Sequence, residues 1–360
     1  MAENLLFSPA TLGRLDLPNR MVMAPMTRCR AEDNEATRLM GEYYAQRASA
    51  GLIISEGVSP SVDGIGYANT PGIFTDRQID AWKHVTRAVS AKGGRIFMQL
   101  MHTGRVAHPF NLPKTGEVLA PSAIAAPGEI FTVKGGMQPH PVPTAMTGQD
   151  IHRTQCEFVG SARRAVNVGF HGVEIHAANG YLLEQFLSPL TNQRTNGYGN
   201  SIPNRILLIV AIAREMAEAI GGHRVGIRLS PYGSNAGMEQ YPETEATHLA
   251  LVKALIKTGI QYIHIVDHSA MGAPPVPASF KQALRRAWPR TYIASGGFDA
   301  ATAEAALQGG QADFVAFGRP FLSNPDLPKR MQMGLPLNPP DSSTFYTPGP
   351  KGYTDYPTIG

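Results

Sequence analysis

The chain has few of the features that would mark a secreted, membrane or nucleic-acid-binding protein. Its 360 residues include only two cysteines, Cys29 and Cys156, too few for a disulfide framework in so long a chain. It has no stretch of 18 apolar residues and no run of five Lys or Arg, which argues against a transmembrane helix and a basic nucleic-acid patch. The first residues, Met1–Asn4, lack the pattern of a signal peptide. We therefore expect a cytoplasmic protein that binds neither membrane nor nucleic acid.

The chain does contain a repeated alternation of short apolar segments and longer segments with helical periodicity. Continuous apolar strands are typical of a parallel sheet that is covered on both faces. The predicted strands are Met21–Ala24, Leu52–Ser55, Arg95–Leu100, Gly172–His176, Val225–Leu229, Tyr262–Val266, Tyr292–Ser295 and Phe314–Phe317. The helices predicted between them include Met40–Ser49, Asp76–Ala91, Asn204–Ala219 and Ala300–Gln308, with Thr75 and Asp299 as capping residues. Eight such units in succession predict an α/β protein in which one (β/α)8 barrel domain spans residues 1–360.

Three segments fall outside this repeat. Leu12–Leu17 predicts an N-terminal hairpin that closes the floor of the barrel. Residues 103–146, rich in Pro and Gly, leave the C-terminal end of the third strand, and loops of this length in compact domains usually have a function. We expect this excursion to form a partial cap over the active-site face. The tail, residues 336–360, is expected over the same face.

Polar residues and glycines follow the predicted strands at the end where barrel enzymes carry their active sites. These residues are Thr27, Gln99, His176, Arg228, Ser295, Gly296, Gly297, Gly318 and Arg319. The last two strands end in Ser-Gly-Gly and Gly-Arg, and the loops after strands seven and eight are the usual phosphate site of this fold. Glycine lets backbone N–H groups approach phosphate oxygens, and arginine can bind them with two nitrogens. A bound phosphate is predicted, on either a cofactor or a substrate.

The end of the fourth strand carries the residues best suited to catalysis. His176 and Asn179 can both donate to one substrate oxygen and so polarise a carbonyl or nitro group. Tyr181 can act as a general acid beside them. No second histidine or carboxylate stands at ligand spacing, so no metal is predicted. Arg228 and Gln99 suit the pyrimidine edge of a flavin, where negative charge develops on reduction.

Taken together, these motifs resemble the old yellow enzyme family. The resemblance covers nearly the whole chain and looks strongest to the bacterial N-ethylmaleimide and pentaerythritol tetranitrate reductases. It rests on Asn19–Arg28, His176–Leu182, Ser295–Phe298, Gly318–Pro320, Phe345–Tyr346 and Gly352–Pro357. Thr27 and Asn179 stand where a second branch of the family has Cys and His, so the sequence resembles the classical branch. Cys29 is predicted to be an ordinary loop residue.

The resemblance implies an ene-reductase with one non-covalent FMN that NADPH or NADH reduces. Hydride would pass to the β-carbon of an α,β-unsaturated carbonyl, a maleimide or a nitro compound. By this resemblance His176 and Asn179 hold the activating oxygen, Tyr181 protonates the α-carbon, and Thr27 hydrogen-bonds the flavin O4. The implied FMN site comprises Pro25, Met26, Thr27, Gly57, Gln99, His176, Asn179, Arg228, Ser295, Gly296, Gly297, Gly318 and Arg319. The implied substrate pocket comprises Tyr67, Met101, His176, Asn179, Tyr181 and Tyr346. The protein is expected to be a monomer or homodimer.

One residue departs from the family pattern. Close relatives carry Trp after Gln-Leu at the end of the third strand, where this chain has Met101. Methionine is smaller and more flexible, so we expect a roomier pocket and altered facial selectivity.

Two other functions remain open at this point. A flavin-free barrel lyase or isomerase acting on a phosphorylated substrate would use the same phosphate site. It would usually need a Schiff-base lysine or a carboxylate base at a strand end, and lysines are scarce there. A non-catalytic binding barrel is disfavoured by the clustering of polar groups.

Overall fold

Eight parallel strands close into a barrel in the computed structural model, which describes residues 4–359. Around the barrel these strands are β3 (Met21–Met23), β4 (Leu52–Val58), β5 (Ile96–Leu100), β10 (Gly172–Ala177), β11 (Val225–Leu229), β12 (Tyr262–Val266), β13 (Thr291–Ser295) and β14 (Phe314–Phe317), with β14 pairing back to β3. Seven of the eight strands are buried at every position, which explains their continuous apolar sequences. The predicted (β/α)8 barrel is confirmed.

Eleven α-helices are described between residues 4 and 359. They are α1 (Arg38–Gln46), α2 (Asp76–Ala91), α3 (Gly148–Asn167), α4 (Leu182–Leu187), α5 (Ile202–Arg205), α6 (Leu207–Ile220), α7 (Thr244–Ile256), α8 (Ala278–Ala287), α9 (Ala300–Gln308), α10 (Arg319–Ser323) and α11 (Leu327–Gln332). Thr75, Thr147 and Asp299 start α2, α3 and α9 because each side chain accepts a hydrogen bond from a backbone N–H of the first turn. No helix described in residues 4–359 has the length and apolarity required to span a bilayer.

A short antiparallel hairpin closes the lower end of the barrel. It consists of β1 (Ala10–Leu12) and β2 (Leu15–Leu17). Leu12 and Leu17 are buried in one cluster with side chains from the barrel interior, among them Phe97, Tyr262 and Phe314. Tyr262 and Phe314 are the first residues of their strands, so the hairpin covers the N-terminal ends of the strands. The predicted hairpin is confirmed, and it leaves the opposite end for the site.

The long excursion between β5 and α3 contains four short strands. These are β6 (Leu119–Ala120), β7 (Glu129–Thr132), β8 (Gly136–Pro139) and β9 (Thr144–Ala145). β7 and β8 form a hairpin, and β6 pairs with β9. Asn111 donates to Gly66 O at 3.0 Å, and Arg105 donates to Ala236 O at 3.1 Å. The excursion therefore contacts the loops that follow β4 and β11, at the C-terminal ends of the barrel strands.

Two buried arginines hold the C-terminal tail. Arg28 donates to the carbonyl oxygens of Phe345 and Gly352 at 3.0 and 2.7 Å. Arg30 donates to four tail carbonyls at 3.0 to 3.2 Å, those of Thr344, Phe345, Gly349 and Lys351. Tyr353 is fully buried, with its ring stacked on Tyr43 at 4.0 Å. The tail is thus fixed against the loop that follows β3.

Candidate active site

Three neighbouring strands bring Gln99, His176 and Arg228 together. In the ladder of β5, β10 and β11, Gln99 pairs with Glu174, and His176 pairs with Arg228. Glu174 and His176 are two residues apart, so both side chains lie on the same face of β10. All of these side chains are at least nine-tenths buried. The barrel register therefore collects into one cluster the polar residues that the sequence places at separate strand ends.

The Arg228 guanidinium lacks a protein partner. Within residues 4–359 it makes no hydrogen bond or ion pair, and its Nε is buried without a partner. Burial lowers the pKa of Arg228, and the nearby Glu174 carboxylate partly offsets this effect. An unpaired buried charge is costly, and native proteins rarely leave one without a ligand. The site therefore suits a ligand that presents negative charge to Arg228.

Glu174 organises the layer of polar side chains beneath this cluster. Its carboxylate accepts from Gln99 Nε2 at 2.8 Å, Tyr262 Oη at 3.1 Å and His264 Nδ1 at 2.9 Å. Burial alone would raise the pKa of Glu174, but His264, Arg228 and Gln99 bring it below the usual range. Because Gln99 donates to Glu174 through Nε2, its carbonyl oxygen is the atom left to accept from a ligand.

His176 is a neutral imidazole with a defined tautomer. Burial, with the charge of Arg228 and of neighbouring histidines, lowers the pKa of His176 well below its ordinary value. Its Nδ1 accepts a hydrogen bond from the Ala178 backbone N–H at 3.3 Å. A neutral imidazole that accepts at Nδ1 carries its proton on Nε2. His176 Nε2–H is therefore available as a donor.

A tight turn presents Asn179 beside His176. Asn179 and Gly180 have φ of +61° and +79°, in the left-handed region that Asn and Gly tolerate best. The Asn179 N–H donates to Ser230 Oγ at 2.8 Å, and Ser230 donates to Glu184 at 2.8 Å. The other Glu184 oxygen accepts from the Gly180 N–H at 2.5 Å. Burial raises the pKa of Glu184 to about 7. The Asn179 Oδ1 lies 2.8 Å from Nε2 of His268.

Tyr181 forms an aromatic group with Tyr67 and His176. Its hydroxyl lies 3.0 Å from that of Tyr67, and its ring centroid lies 4.9 Å from that of His176. Burial and the neighbouring Tyr67 raise the pKa of Tyr181 well above its ordinary value. Tyr346 is 66% exposed, yet its phenol also raises the pKa of both Tyr67 and Tyr181, so it lies near this pair. Tyr181 therefore holds its proton at neutral pH.

Met101 lies directly against Gly57. A Cβ added to Gly57 would come within 2.5 Å of the Met101 Sδ and 2.6 Å of its Cε. Met101 is 3% exposed, and its N–H donates to Val58 O at 2.9 Å. The Met101 side chain thus occupies the space that a side chain at position 57 would need.

The loops after β13 and β14 offer a cradle for a phosphate. Gly296 and Gly297 have φ of +141° and +70°, and a Cβ on Gly296 would lie 2.5 Å from Asp267 O. A Cβ on Gly318 would meet only Met26 Sδ at 3.7 Å and Ala24 Cβ at 4.0 Å, so open space adjoins that backbone. Arg319 is exposed and has no hydrogen bond or ion pair within the described residues. Ser295, just before these glycines, ends β13.

The loop after β3 carries Pro25, Met26 and Thr27, all half-buried. The Thr27 hydroxyl has no hydrogen-bond partner in the part of the chain that the structure describes, while the next residue, Arg28, is anchored to the tail. Burial and the Glu56 carboxylate raise the pKa of Cys29 to about 12. Cys29 is therefore held as an uncharged thiol, and Thr27 is the residue of this loop with a free polar group.

The site predicted from the sequence omits several polar residues that this geometry brings to it. They are Glu174, Glu184, Ser230, Tyr262, His264 and His268. A polar residue inside an apolar strand was the available signal for Glu174 and His264. Ser230 directly follows β11, so the rule applied to the other strand ends would have found it.

Comparisons with known proteins agree with this arrangement. The model of the NADH:flavin oxidoreductase / NADH oxidase family matches residues 5–338. The chain belongs to the old yellow enzyme family. It is 43% identical to the chanoclavine-I aldehyde reductase of Penicillium roqueforti, over 98% of this chain and 95% of that protein. It is 38% identical to 12-oxophytodienoate reductase 1 of Oryza sativa subsp. japonica, over 98% of this chain and 93% of that protein.

Solved structures give the same result. Morphinone reductase superimposes with a TM-score of 0.95 at 44% identity, over 99% of this chain and 97% of that one. The old yellow enzyme homologue from Zymomonas mobilis gives a TM-score of 0.93 at 39% identity, over 98% and 99% of the two chains. The protein is therefore an FMN-dependent oxidoreductase of the ene-reductase type with a nicotinamide reductant. The alternative of a flavin-free barrel lyase or isomerase is not supported.

Proposed function

We propose that His176, Asn179 and Tyr181 carry out the reduction of an activated alkene. The supporting observation is that two hydrogen-bond donors lie close to the protonated hydroxyl of Tyr181. His176 Nε2–H and the Asn179 amide lie on the same strand end, and the Tyr181 ring is 4.9 Å from that of His176. The two donors would bind the carbonyl oxygen of an α,β-unsaturated substrate. The Tyr181 hydroxyl would deliver its proton to the α-carbon.

The residues around the barrel mouth fit FMN. The unpaired Arg228 guanidinium would face the negative charge that develops on the pyrimidine edge of the flavin. The Gln99 carbonyl oxygen would accept a hydrogen bond from an N–H group of the same edge. Thr27 would donate its free hydroxyl to the flavin O4. The remaining proposed FMN residues are Pro25, Met26, Gly57, His176, Asn179, Ser295, Gly296, Gly297, Gly318 and Arg319. Bound FMN supplies hydride chemistry, which no side chain can provide.

The different roles of His176 and Tyr181 follow from the charge that develops on the substrate during the reaction. Negative charge develops on the substrate oxygen as hydride arrives, and donors that are already oriented stabilise it most at that moment. His176 suits this role because it is neutral, so it polarises the oxygen without giving up its proton. Tyr181 gives its proton to carbon, and Tyr67 lies within hydrogen-bond distance of the resulting phenolate.

The substrates we propose are enones, maleimides and nitro compounds, since each presents an oxygen to the same two donors. Tyr67, Met101 and Tyr346 would line the pocket beside His176, Asn179 and Tyr181. We further propose that residues 1–360 form one FMN-binding domain, with 103–146 as a partial cap and 336–360 over the active-site face. We also propose that the protein is a cytoplasmic monomer or homodimer and that it has no nucleic-acid partner.

The proposal has a direct test. Purified protein is expected to be yellow, to lose its flavin absorbance with NADPH under anaerobic conditions, and to regain it when 2-cyclohexenone is added. Reoxidation of the flavin by the enone, together with formation of cyclohexanone, would support alkene reduction. Protein that stays colourless and takes up no added FMN would contradict it, and so would reduced enzyme that only oxygen reoxidises.

Replacing Met101 tests the shape of the pocket. In Met101→Trp, the larger indole is expected to narrow the space beside Gly57 and to reduce turnover of enones with bulky β-substituents relative to cyclohexenone. The enantiomeric excess of a prochiral substrate is expected to shift with it. Met101→Leu is the matched control, because it keeps the volume but removes the sulfur. Unchanged substrate range and product enantiomers in Met101→Trp would contradict the prediction.

A further inference from the structure

His268 contacts Asn179, although the sequence motifs assign His268 no role. It lies two residues after β12, is 7% exposed, and has its Nε2 at 2.8 Å from Asn179 Oδ1. Within the described residues this is the one hydrogen bond that the Asn179 side chain makes. The contact therefore joins the loop after β12 to the turn that carries the proposed substrate donor.

The loop that carries His268 is anchored on both sides of it. Asp267 accepts hydrogen bonds from the N–H groups of Ser269 at 2.9 Å and Val276 at 3.3 Å, and it forms an ion pair with Lys281 at 2.5 Å. Its own N–H donates to Ser295 O at 2.8 Å. These bonds fix the backbone next to His268, so the imidazole is presented to Asn179 from a defined position.

The direction of the contact follows from the chemistry of the two side chains. Burial, with the charge of Arg228, lowers the pKa of His268 to about 4, so the ring is neutral at pH 7. An amide oxygen can only accept, so the single ring proton of His268 lies on Nε2. With Oδ1 engaged, the Asn179 amide turns its NH2 group away from His268. The bond of Ser230 to the Asn179 N–H fixes the backbone, so His268 sets the remaining freedom of the side chain.

We propose that His268 is a positioning residue that holds the Asn179 amide with Nδ2–H toward the substrate. The inference rests on the proposed function, in which Asn179 binds the substrate oxygen. Together with His176 Nε2–H, the site then presents two donors and no acceptor. It selects ligands whose oxygen only accepts, such as carbonyls and phenolates, over ligands that present a hydroxyl or amide N–H there.

Two amide substitutions distinguish this role from a general structural one. Glutamine can place its NH2 close to the position of a histidine Nε2, whereas asparagine is one carbon too short to do so. In FMN-loaded enzyme, His268→Gln is expected to bind 4-chlorophenol within about twofold of the unsubstituted protein. His268→Asn is expected to bind it about five- to tenfold more weakly, the effect of one hydrogen bond. Binding is measured by the change in flavin absorbance, and FMN content reports folding.

Two further measurements test whether His268 acts through Asn179. The bound phenol is expected to ionise at a pH higher by up to about one unit in His268→Asn, because the oriented donor that favours phenolate is lost. In an Asn179→Ala background, His268→Asn is expected to have no further effect on phenol binding. Equal binding by the Gln and Asn variants, or additive effects in the double variant, would overturn the inference while leaving enone reduction intact. Unsubstituted enzyme that holds FMN but neither binds the phenol nor reduces cyclohexenone would instead overturn the proposed function.

Discussion

Tyr181→Phe is expected to slow alkene reduction by a factor of about 10² to 10⁴, the usual contribution of a positioned general acid. The phenylalanine keeps the ring beside His176 and removes the hydroxyl group with its proton. The reduction of bound FMN by NADPH does not require that proton, so its rate is expected to stay within about twofold. Stopped-flow measurement of the two half-reactions separates these effects, since flavin bleaching reports one and reoxidation by cyclohexenone reports the other.

Tyr67→Phe is the matched control, because it removes the hydroxyl 3.0 Å from Tyr181 and keeps the proposed proton donor. Its effect on reoxidation is expected to be below about tenfold, as for the loss of one hydrogen bond. The raised pKa of Tyr181 keeps the donor protonated through the neutral range, so its ionisation is expected to cause no loss of rate between pH 6 and 9. Reoxidation of Tyr181→Phe at the unsubstituted rate would mean that water or another group supplies the proton.

Arg228→Met is expected to leave the apoprotein at least as stable as before but to lower the flavin midpoint potential of the holoenzyme. In the apoprotein Arg228 is a buried charge without a partner, so an apolar side chain of similar length leaves the free energy of unfolding unchanged or raises it. In the holoenzyme we expect the charge to stabilise reduced FMN, as proposed above. A charge-assisted hydrogen bond contributes about 1.5–3 kcal/mol, which lowers the two-electron midpoint potential by about 30–60 mV when it is lost.

The experiment combines urea unfolding of the apoprotein with FMN titration and potentiometry. Arg228→Lys is the control, since it keeps the charge and loses the planar donor group. Its potential is expected to lie between those of the other two proteins. An unchanged potential and FMN affinity in Arg228→Met would show that the guanidinium does not face the flavin.

The sequence was sufficient to predict the barrel because each strand is short, apolar and followed by a helix with recognisable caps. Thr75 and Asp299 start their helices where the sequence predicts. Helix bounds do not follow from the sequence where packing decides them. The predicted helix Met40–Ser49 was wrong at both ends, since Thr37 starts α1 earlier and Arg47 turns inward to bind Phe321 O at 2.8 Å. The predicted continuous helix Asn204–Ala219 is divided at Ile206.

The strand-end rule was also sufficient to find Gln99, His176 and Arg228, because parallel strands bring their C-terminal ends to one edge. It could not find Glu174 or His268. Glu174 lies two residues inside β10, and its role depends on donors from β5 and β12 that only the closed barrel brings to it. His268 lies in a loop, and its contact with Asn179 spans 89 residues of sequence. Local patterns contain no information about such contacts.

The way the tail is held has a consequence for how this enzyme could change its substrates. All hydrogen bonds from Arg28 and Arg30 to the tail end on carbonyl oxygens, a group that every residue carries. Substitution of a side chain such as Tyr346 would therefore leave all of these bonds in place. Evolution, or directed mutagenesis, can therefore vary position 346, which we propose lines the pocket, without loosening the segment that carries it.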